Sequence, residues 1–354
     1  MTTPTAELIA RQAARMVRLR HVHGAVLAVD QTAMQEPRVA AAGDLAPDSR
    51  FCAASTTKLV VTIVVMRLVE RGVIGLDDPM ARHLPAELIA GLHRRKGVDH
   101  TASITIRHLI ANQTGLRDYF SLKGADGRRP ADALMAGEDS AWPLARTLQA
   151  VRGSEAQFRP GQRGKVAYSD TNYQLVGAIL ERVTGQSLPD LFAAEVFAPL
   201  GLCETYIYSD PSDDRPVWFY GGARRLHLPH YLASVQAEGG MVTTARELAA
   251  IGRAVFEGRL FDIDALMAQQ DWRMLFWPGQ FHFGLGLEKL WTPWFIAPLR
   301  PIRDVMGCWG QTGAFVFHHP ETGLHFAGTV NQASGLGHAS AVRAMLAVIR
   351  AARR

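Results

Sequence analysis

Strand-like segments occur near both ends of this chain, whereas helix-like segments dominate its middle. Near the start, short apolar runs at Gly24–Val29 and Arg38–Ala42 flank a polar stretch and predict an antiparallel hairpin. Late in the chain the same kind of pattern returns, at 283–290, 314–318 and 324–330. One sheet that contains both groups must therefore draw its strands from both ends of the chain.

The middle of the chain shows apolar residues at helical spacing between Gly- and Pro-bearing loops, at 105–112, 130–151, 171–184 and 187–197. Further helices are predicted over 5–20, from Ser55 to about Glu70, and over 245–256 and 338–352. This order predicts an α/β (α+β) fold, with an antiparallel sheet built from both chain ends and flanked by helices. We expect residues 1–78 and 236–354 to form the mixed α/β domain, residues 79–235 to form a mostly helical inserted domain, and the active site to lie at their junction.

The composition, 48% hydrophobic and 20% charged residues, is that of a globular chain rather than a disordered or membrane-embedded one. The most apolar run, Leu59–Met66, is stopped by Arg67 and falls well short of the roughly 20 residues that span a bilayer. Three cysteines give no disulfide framework, and the charged first twenty residues lack the apolar core of a secretory signal. We expect no membrane span and a cytoplasmic location.

The net charge of +5 does not indicate nucleic-acid binding, because the basic residues are scattered and the densest run, His93–Lys96, is short. The pair His21 and His23 has no accompanying Cys or carboxylate cluster, so we expect no metal site. No cofactor motif is apparent, and a small molecule is the expected partner.

The first chemical signal is Ser55-Thr56-Thr57-Lys58 at the start of an apolar helix. Residues three apart on a helix share a face, so the Lys58 amine can reach the Ser55 hydroxyl. Serine needs a proton acceptor, and burial favours the neutral, accepting form of an amine. Taken alone, the same spacing also suits an N-cap serine followed by a surface lysine.

Two further signals come later in the chain. Tyr168-Ser169-Asp170 lies on a loop that enters an amphipathic helix, where Tyr168 either projects into a cleft or packs with Asp170 as the helix N-cap. Trp309–Ala314 leads into the strand-like run 314–318. Glycine on an inner strand lets a substrate backbone approach closely, although a plain turn explains the same residues.

In this order and spacing the three motifs resemble those of the serine β-lactamase and penicillin-binding protein superfamily. The resemblance is closest to the class C β-lactamases, the D-Ala-D-Ala carboxypeptidases and the family VIII esterases, and it covers nearly the whole chain. It also includes the sequence segments between these motifs, at 75–79, 104–110, 239–244 and 284–286. A β-lactamase-like fold is the implied architecture.

The resemblance implies that Ser55 is the acylated nucleophile, Lys58 its base partner and Tyr168 a second acid or base. It also implies an oxyanion hole made by the backbone N–H groups of Ser55 and Ala314. Such a pair of donors is commonly worth a few kcal/mol in the transition state. Thr312 and Gly313 would then line the substrate site.

Two positions depart from the usual pattern of this superfamily. Asp170 stands where asparagine is usual, and its negative charge would favour protonated Lys58 and leave Tyr168 more of the base role. Gln311 stands where lysine or histidine is usual. Loss of that cation makes good turnover of carboxylate-bearing penicillins less favourable.

The leading hypothesis is a serine hydrolase that cleaves esters or amides through a Ser55 acyl-enzyme, without metal or cofactor. β-Lactamase or D,D-peptidase activity is the alternative within the same chemistry. Acyl transfer to an alcohol and a catalytically silent binding role are further alternatives. Cys52 as the nucleophile lacks a partner motif, and the aromatic segments 272–283 and 291–295 fit either a core or the wall of an apolar acyl pocket.

Overall fold

The computed structural model describes residues 2–124, 127–275, 281–292, 300–333 and 335–354. The strands within these ranges are β1 (Gly24–Gln31), β2 (Arg38–Gly43), β3 (Phe51–Cys52), β4 (Arg94–Arg95), β5 (Val98–Asp99), β6 (Tyr206–Ile207), β7 (Tyr220–Gly221), β8 (Arg224–Arg225), β9 (Met241–Thr243), β10 (Arg273–Met274), β11 (Phe281–Phe283), β12 (Glu288–Leu290), β13 (Met306–Trp309), β14 (Ala314–His319) and β15 (Leu324–Thr329).

The α-helices are α1 (Ala6–Met16), α2 (Thr57–Glu70), α3 (Ala86–Ile89), α4 (Ile106–Ile110), α5 (Pro130–Met135), α6 (Leu144–Val151), α7 (Asp170–Thr184), α8 (Leu188–Phe192), α9 (Pro229–Ser234), α10 (Gln236–Gly239), α11 (Ala245–Phe256), α12 (Ile263–Ala268) and α13 (Gly335–Ala352). Short 3₁₀ turns lie at Ala54–Thr56, Met80–Arg82, Thr101–Ser103, Tyr119–Ser121, Ala198–Leu200 and Pro320–Thr322, and a π-helical turn lies at Ala193–Phe197.

The largest sheet is antiparallel throughout and has the strand order β10-β11-β12-β13-β14-β15-β1-β2. The early strand β1 therefore lies beside β15, the last strand of the chain, with Val26 opposite Thr329, and β2 pairs with the other side of β1. This pairing confirms the predicted sheet built from both chain ends. The mixture of helices with an antiparallel sheet confirms the predicted fold class.

Strand β1 is buried on both faces, and its alternating side chains enter two separate cores. Val26 and Ala28 pack in the core that contains α2 and α11, whereas Ala25, Leu27 and Val29 pack in the core that contains α1 and α13. Because successive side chains of a strand point to opposite faces, one strand can join both layers. The sheet is thus covered by helices on each side.

Helix α2 lies at the centre of the larger core, with eleven of its fourteen residues buried. Its apolar residues are not confined to one face, which is the pattern of a helix surrounded by protein. Helix α2 therefore fixes the position of the residues at its first turn against several neighbouring elements.

Across the described ranges, no helix has the length and apolar character needed to cross a membrane.

The structure corrects three details of the predicted elements. The run 283–290 is a hairpin rather than one strand, because Gly286 has a left-handed φ of +69° and the Gly284 amide donates to the Leu287 carbonyl at 2.8 Å. The stretch 130–151 divides into α5 and α6, since Pro143 is extended and stands just before α6. Strand β13 was not predicted.

Between α2 and α10 the chain forms α3 to α9 and two isolated strand pairs, β4-β5 and β7-β8. Strand β6 instead joins β3 and β9 in a three-stranded sheet. The division of the chain at residues 78 and 236 into two domains stays a prediction.

Candidate active site

Ser55 lies in the 3₁₀ turn that leads directly into α2. The turn is anchored to the small sheet, because the Ala53 amide donates to the Met241 carbonyl at 2.8 Å. Ala54 has a left-handed φ of +45°, a conformation that costs a non-glycine residue about 1 kcal/mol or more. The strained residue sits immediately before Ser55, whose side chain is half-buried at the edge of a cavity.

Lys58 lies one helical turn after Ser55 and is 1% exposed. Its Nζ is 3.0 Å from Ser55 Oγ, 2.5 Å from the Glu238 carbonyl oxygen and 2.7 Å from Asp170 Oδ1. An ammonium has three N–H donors, so these three acceptors satisfy it completely. The structure therefore brings Ser55, Lys58 and Asp170 together.

Tyr168 donates its phenolic proton to Ser55 Oγ at 2.6 Å. Asn112 fixes the loop that carries it, because Asn112 Oδ1 accepts from the Ser169 amide at 3.1 Å. Burial, and secondarily the charge of Asp170, raises the pKa of Tyr168 well above its usual range. Tyr168 is therefore protonated in the resting site, and this direction opposes the expectation that Tyr168 takes the larger share of the base role.

Asp170 is the first residue of α7 rather than its N-cap, which is Ser169. Its side chain is 15% exposed and forms the ion pair with Lys58. The Asp170 carboxylate therefore lies directly against the Lys58 amine.

The third motif, Trp309–Ala314, packs against the turn that carries Ser55. A Cβ atom on Gly310 would lie 2.3 Å from the Ala53 carbonyl oxygen, so only glycine fits this approach. Thr312 is 5% exposed, and its hydroxyl donates to the Cys52 carbonyl at 2.6 Å. Gly313 precedes β14, and Ala314 is the first, fully buried residue of that strand. The motif thus holds the strand edge beside Ser55.

Gln311 is exposed and lines the cavity, but its amide is already engaged. Its Nε2 donates to the Ala333 carbonyl at 2.7 Å. The side chain therefore supplies neither a positive charge nor that donor to a substrate carboxylate.

The cavity beside Ser55 has a volume of about 440 Å³, which is in the range of small-molecule sites. Much of its wall is apolar, and this part is formed by Phe120, Leu134, Met135, Phe219, Leu228 and Leu232. Of the aromatic segments left open above, 272–283 reaches the cavity through Phe281, whereas 276–280 and 293–295 lie outside the described residues. Trp309 of the third motif also lines the cavity. An acyl chain or ring fits these surroundings.

The sequence motifs did not identify three acidic residues that also line this cavity: Asp118, Glu238 and Glu288. Burial raises the pKa of Asp118 to about 7 and that of Glu288 to about 8, with the charge of Asp170 adding to the effect on Asp118. Burial and Asp170 raise the pKa of Glu238 well above its usual range. Glu238 directly precedes the segment 239–244, which is part of the family resemblance. No motif in the sequence marked Asp118 or Glu288.

Cys52 and Cys308 are both buried near Ser55. Burial raises the pKa of the Cys52 thiol to about 12, so Cys52 stays a neutral thiol, which argues against the alternative nucleophile. Cys308 Sγ donates to the Ser55 carbonyl at 3.2 Å and helps to hold the turn. In the part of the chain that the structure describes, no group of three or more His, Cys, Asp or Glu side chains is placed to hold a metal ion.

Solved proteins share this fold along nearly the whole chain. A D-amino acid amidase from Ochrobactrum anthropi SV3, complexed with L-phenylalanine amide, matches 98% of this chain and 99% of its own, with a TM-score of 0.79 and 23% identity. EstCE1, described as a hydrolase with promiscuous acyltransferase activity, covers 96% of this chain and 97% of its own, with a TM-score of 0.76 and 22% identity. At these identities the likeness shows a shared fold.

Among curated proteins, esterase EstB of Burkholderia gladioli is 32% identical over 156 residues, which is 44% of this chain and 38% of the esterase. This chain spans less than half the length of the curated relatives it matches first. The family model described as Beta-lactamase matches residues 9–349. Because this match covers nearly all of the sequence, and the fold agrees with it, the chain belongs to the Beta-lactamase family.

Proposed function

We propose that this chain is a serine hydrolase that cleaves carboxylic esters through an acyl-enzyme on Ser55. The observation that carries the proposal is the pair of contacts on Ser55 Oγ, from Lys58 Nζ at 3.0 Å and from Tyr168 OH at 2.6 Å. A nucleophilic hydroxyl between two groups that exchange protons is the arrangement that acyl transfer requires. The neighbouring cavity supplies room for the substrate.

In the proposed acylation step, Lys58 acts as the base in its neutral amine form. Its two N–H groups stay with the Glu238 carbonyl and Asp170, and its lone pair accepts from the Ser55 hydroxyl. Ser55 Oγ then forms a bond to the substrate carbonyl carbon while its proton passes to Lys58. The backbone N–H groups of Ser55 and Ala314 would stabilise the resulting oxyanion.

Tyr168 would act as the acid that protonates the leaving group. Its raised pKa keeps the phenolic proton in place until the carbon–oxygen bond of the ester breaks. The phenolate left behind can then take a proton from the water that attacks the acyl-enzyme. This assignment differs from the expectation drawn from sequence, because burial of Tyr168 counts against a resting phenolate.

β-Lactam or D,D-peptide hydrolysis is less favourable than ester hydrolysis at this site. Such substrates present a carboxylate, whereas Gln311 is neutral and its amide is bonded to Ala333. Asp118, Glu238 and Glu288 add acidic groups to the same cavity. A substrate carboxylate would therefore find no lysine or arginine among the described residues that line the cavity.

Two outcomes of the same acyl-enzyme are supported as second candidates. Amide hydrolysis fits the shared fold with an amidase that binds phenylalanine amide. Acyl transfer fits the large apolar wall of the cavity and the shared fold with a hydrolase described as a promiscuous acyltransferase. Intact Ser55, Lys58 and Tyr168 count against a silent binding role, and the cytoplasmic location stays a prediction from sequence.

The proposal is tested by the hydrolysis of p-nitrophenyl butyrate by wild type, Ser55→Ala and Ser212→Ala. Ser212 is an exposed serine on the surface and serves as the matched control. We expect Ser55→Ala to lose essentially all turnover while Ser212→Ala retains the wild-type rate. Activity retained in Ser55→Ala would exclude the proposed nucleophile.

A further inference from the structure

The described residues that line the cavity carry four carboxyl groups, those of Asp118, Asp170, Glu238 and Glu288, and include no lysine or arginine. Lys58 lies beneath the wall and is ion-paired with Asp170. The cavity and the residue beneath it therefore hold four carboxyl groups and one lysine amine. This imbalance is unusual for a buried site, where charges are normally paired.

Glu238 is buried and incompletely hydrogen-bonded. Its side chain is 2% exposed, and its Oε1 accepts a hydrogen bond from Tyr119 OH. Its Oε2 is buried and has no hydrogen-bond partner among the described residues, although Glu238 lines the cavity. A buried oxygen left without a hydrogen-bond partner is unfavourable, so a ligand that donates to it would be stabilised.

Asp118 is a second acid in the cavity wall, and together with Asp170, Glu238 and Glu288 it forms what we call the acidic wall. Asp118 Oδ1 accepts hydrogen bonds from the Asp170 amide at 3.2 Å and the Phe120 amide at 3.3 Å. Asp118 and Asp170 are therefore neighbours, and Asp170 in turn contacts the ammonium that touches Ser55 Oγ. Asp118 is thus linked to Ser55 through Asp170 and Lys58.

The chemistry of this wall narrows the class of ligand. A metal ion is disfavoured, since no group of three or more ligating side chains has the required geometry within the described ranges. An anion would find no lysine or arginine among the described lining residues. An organic ammonium attached to an apolar body fits, because its N–H groups can donate to carboxylate oxygens while the body packs on Phe120 and Tyr231, which line the cavity beside the acids.

We propose, building on the proposed serine hydrolase, that its preferred substrates are esters or amides that carry a protonated amine, and that Asp118 and Glu238 bind this amine. Asp170 remains the partner of Lys58. The amine can belong to the acyl group, as in an amino-acid ester, or to the leaving group, as in an amino-alcohol ester. The carboxylate–ammonium contact is the same in both.

The test compares matched pairs of esters at a pH at which the substrate amines are protonated. Phenylalanine methyl ester is compared with methyl 3-phenylpropanoate for the acyl side, and 2-(dimethylamino)ethyl phenylacetate with 3-methylbutyl phenylacetate for the leaving-group side. We expect kcat/KM to favour the ammonium member of at least one pair by about 10- to 100-fold. The pair that shows the preference locates the amine.

The same ratios are then measured in Asp118→Asn, Glu238→Gln and the control Asp132→Asn, which removes an exposed carboxylate that is paired with Arg129 on the surface. We expect the preference to fall about tenfold or more in Asp118→Asn or Glu238→Gln and to persist in Asp132→Asn. Asp118→Asn keeps the test decisive if the buried Glu238→Gln variant does not fold.

Equal rates within each pair, with hydrolysis of the neutral esters that still depends on Ser55, would overturn the ammonium subsite and leave the proposed function standing. A preference that survives both Asp118→Asn and Glu238→Gln would also overturn it. Failure of every ester to show Ser55-dependent turnover would refute the proposed function itself, and the subsite with it.

Discussion

Replacement of Asp170 by asparagine tests the electrostatics of the site through protein stability. Asp170→Asn keeps the size of the side chain but removes the negative charge that lies 2.7 Å from Lys58 Nζ. At an effective dielectric constant of about 20, two unit charges at that distance attract by roughly 6 kcal/mol. Loss of one partner from a buried ion pair typically costs about 3–5 kcal/mol, because the other charge stays buried.

Two effects reduce the cost in this protein. The asparagine oxygen can still accept a hydrogen bond from Lys58. The charge of Asp170 also contributes to the raised pKa values of Asp118 and Glu238, so its removal lets these neighbours ionise more readily and replace part of the lost attraction. We therefore expect Asp170→Asn to lower the free energy of unfolding by about 2–4 kcal/mol at neutral pH.

Urea denaturation followed by circular dichroism measures this loss. The control is Asp77→Asn, which removes a carboxylate that is 76% exposed and paired with Arg107 at 2.7 Å. An exposed ion pair contributes about 1 kcal/mol or less, so the control should remain close to wild type. If Asp170→Asn lost no more stability than Asp77→Asn, the Lys58–Asp170 pair would not be the strong buried interaction described here.

Three further substitutions test individual roles. Tyr168→Phe should lower kcat/KM for a neutral ester by about two to four orders of magnitude, and wild-type kinetics would rule out its proton-transfer role. Gln311→Lys should raise kcat/KM for a cephalosporin relative to a neutral ester by about 10- to 150-fold, less where the cavity acids pair with the new charge; an unchanged ratio would remove Gln311 as the determinant. Glu288→Gln tests how the free energy of unfolding depends on pH. Burial raises the pKa of Glu288 from 4.5 to about 8 in the folded state, so folded wild type holds a proton that the unfolded chain releases. Its stability should then fall as pH rises between these values, by at most about 1.4 kcal/mol per pH unit, and urea denaturation across this range should show a shallower fall in the variant; equal slopes would contradict the assignment.

The parts of the site that follow local rules were predictable from sequence. Ser55 and Lys58 are three residues apart on one helix, so their contact needs no knowledge of the fold. Asp170 was recognised because it interrupts a motif. The sheet built from both chain ends followed from where the strand-like runs lie.

The acidic wall was not predictable in the same way. Asp118 and Glu288 carry no motif, and they reach the cavity only because a 3₁₀ turn and a sheet strand meet there in three dimensions. The raised pKa of Tyr168 did not follow from the sequence either, since burial is a tertiary property. Gly286 shows the same limit for the fold, because its positive φ turns one apolar run into two strands.

The central claim, a covalent acyl-enzyme on Ser55, is tested most directly by mass spectrometry of the labelled protein. Wild type is exposed to a fluorophosphonate and, separately, to an activated ester, and the modified residue is located by peptide mapping. The account predicts one adduct per chain, on the peptide that contains Ser55, and no adduct in Ser55→Ala. Labelling at another residue, or equal labelling of Ser55→Ala, would contradict it.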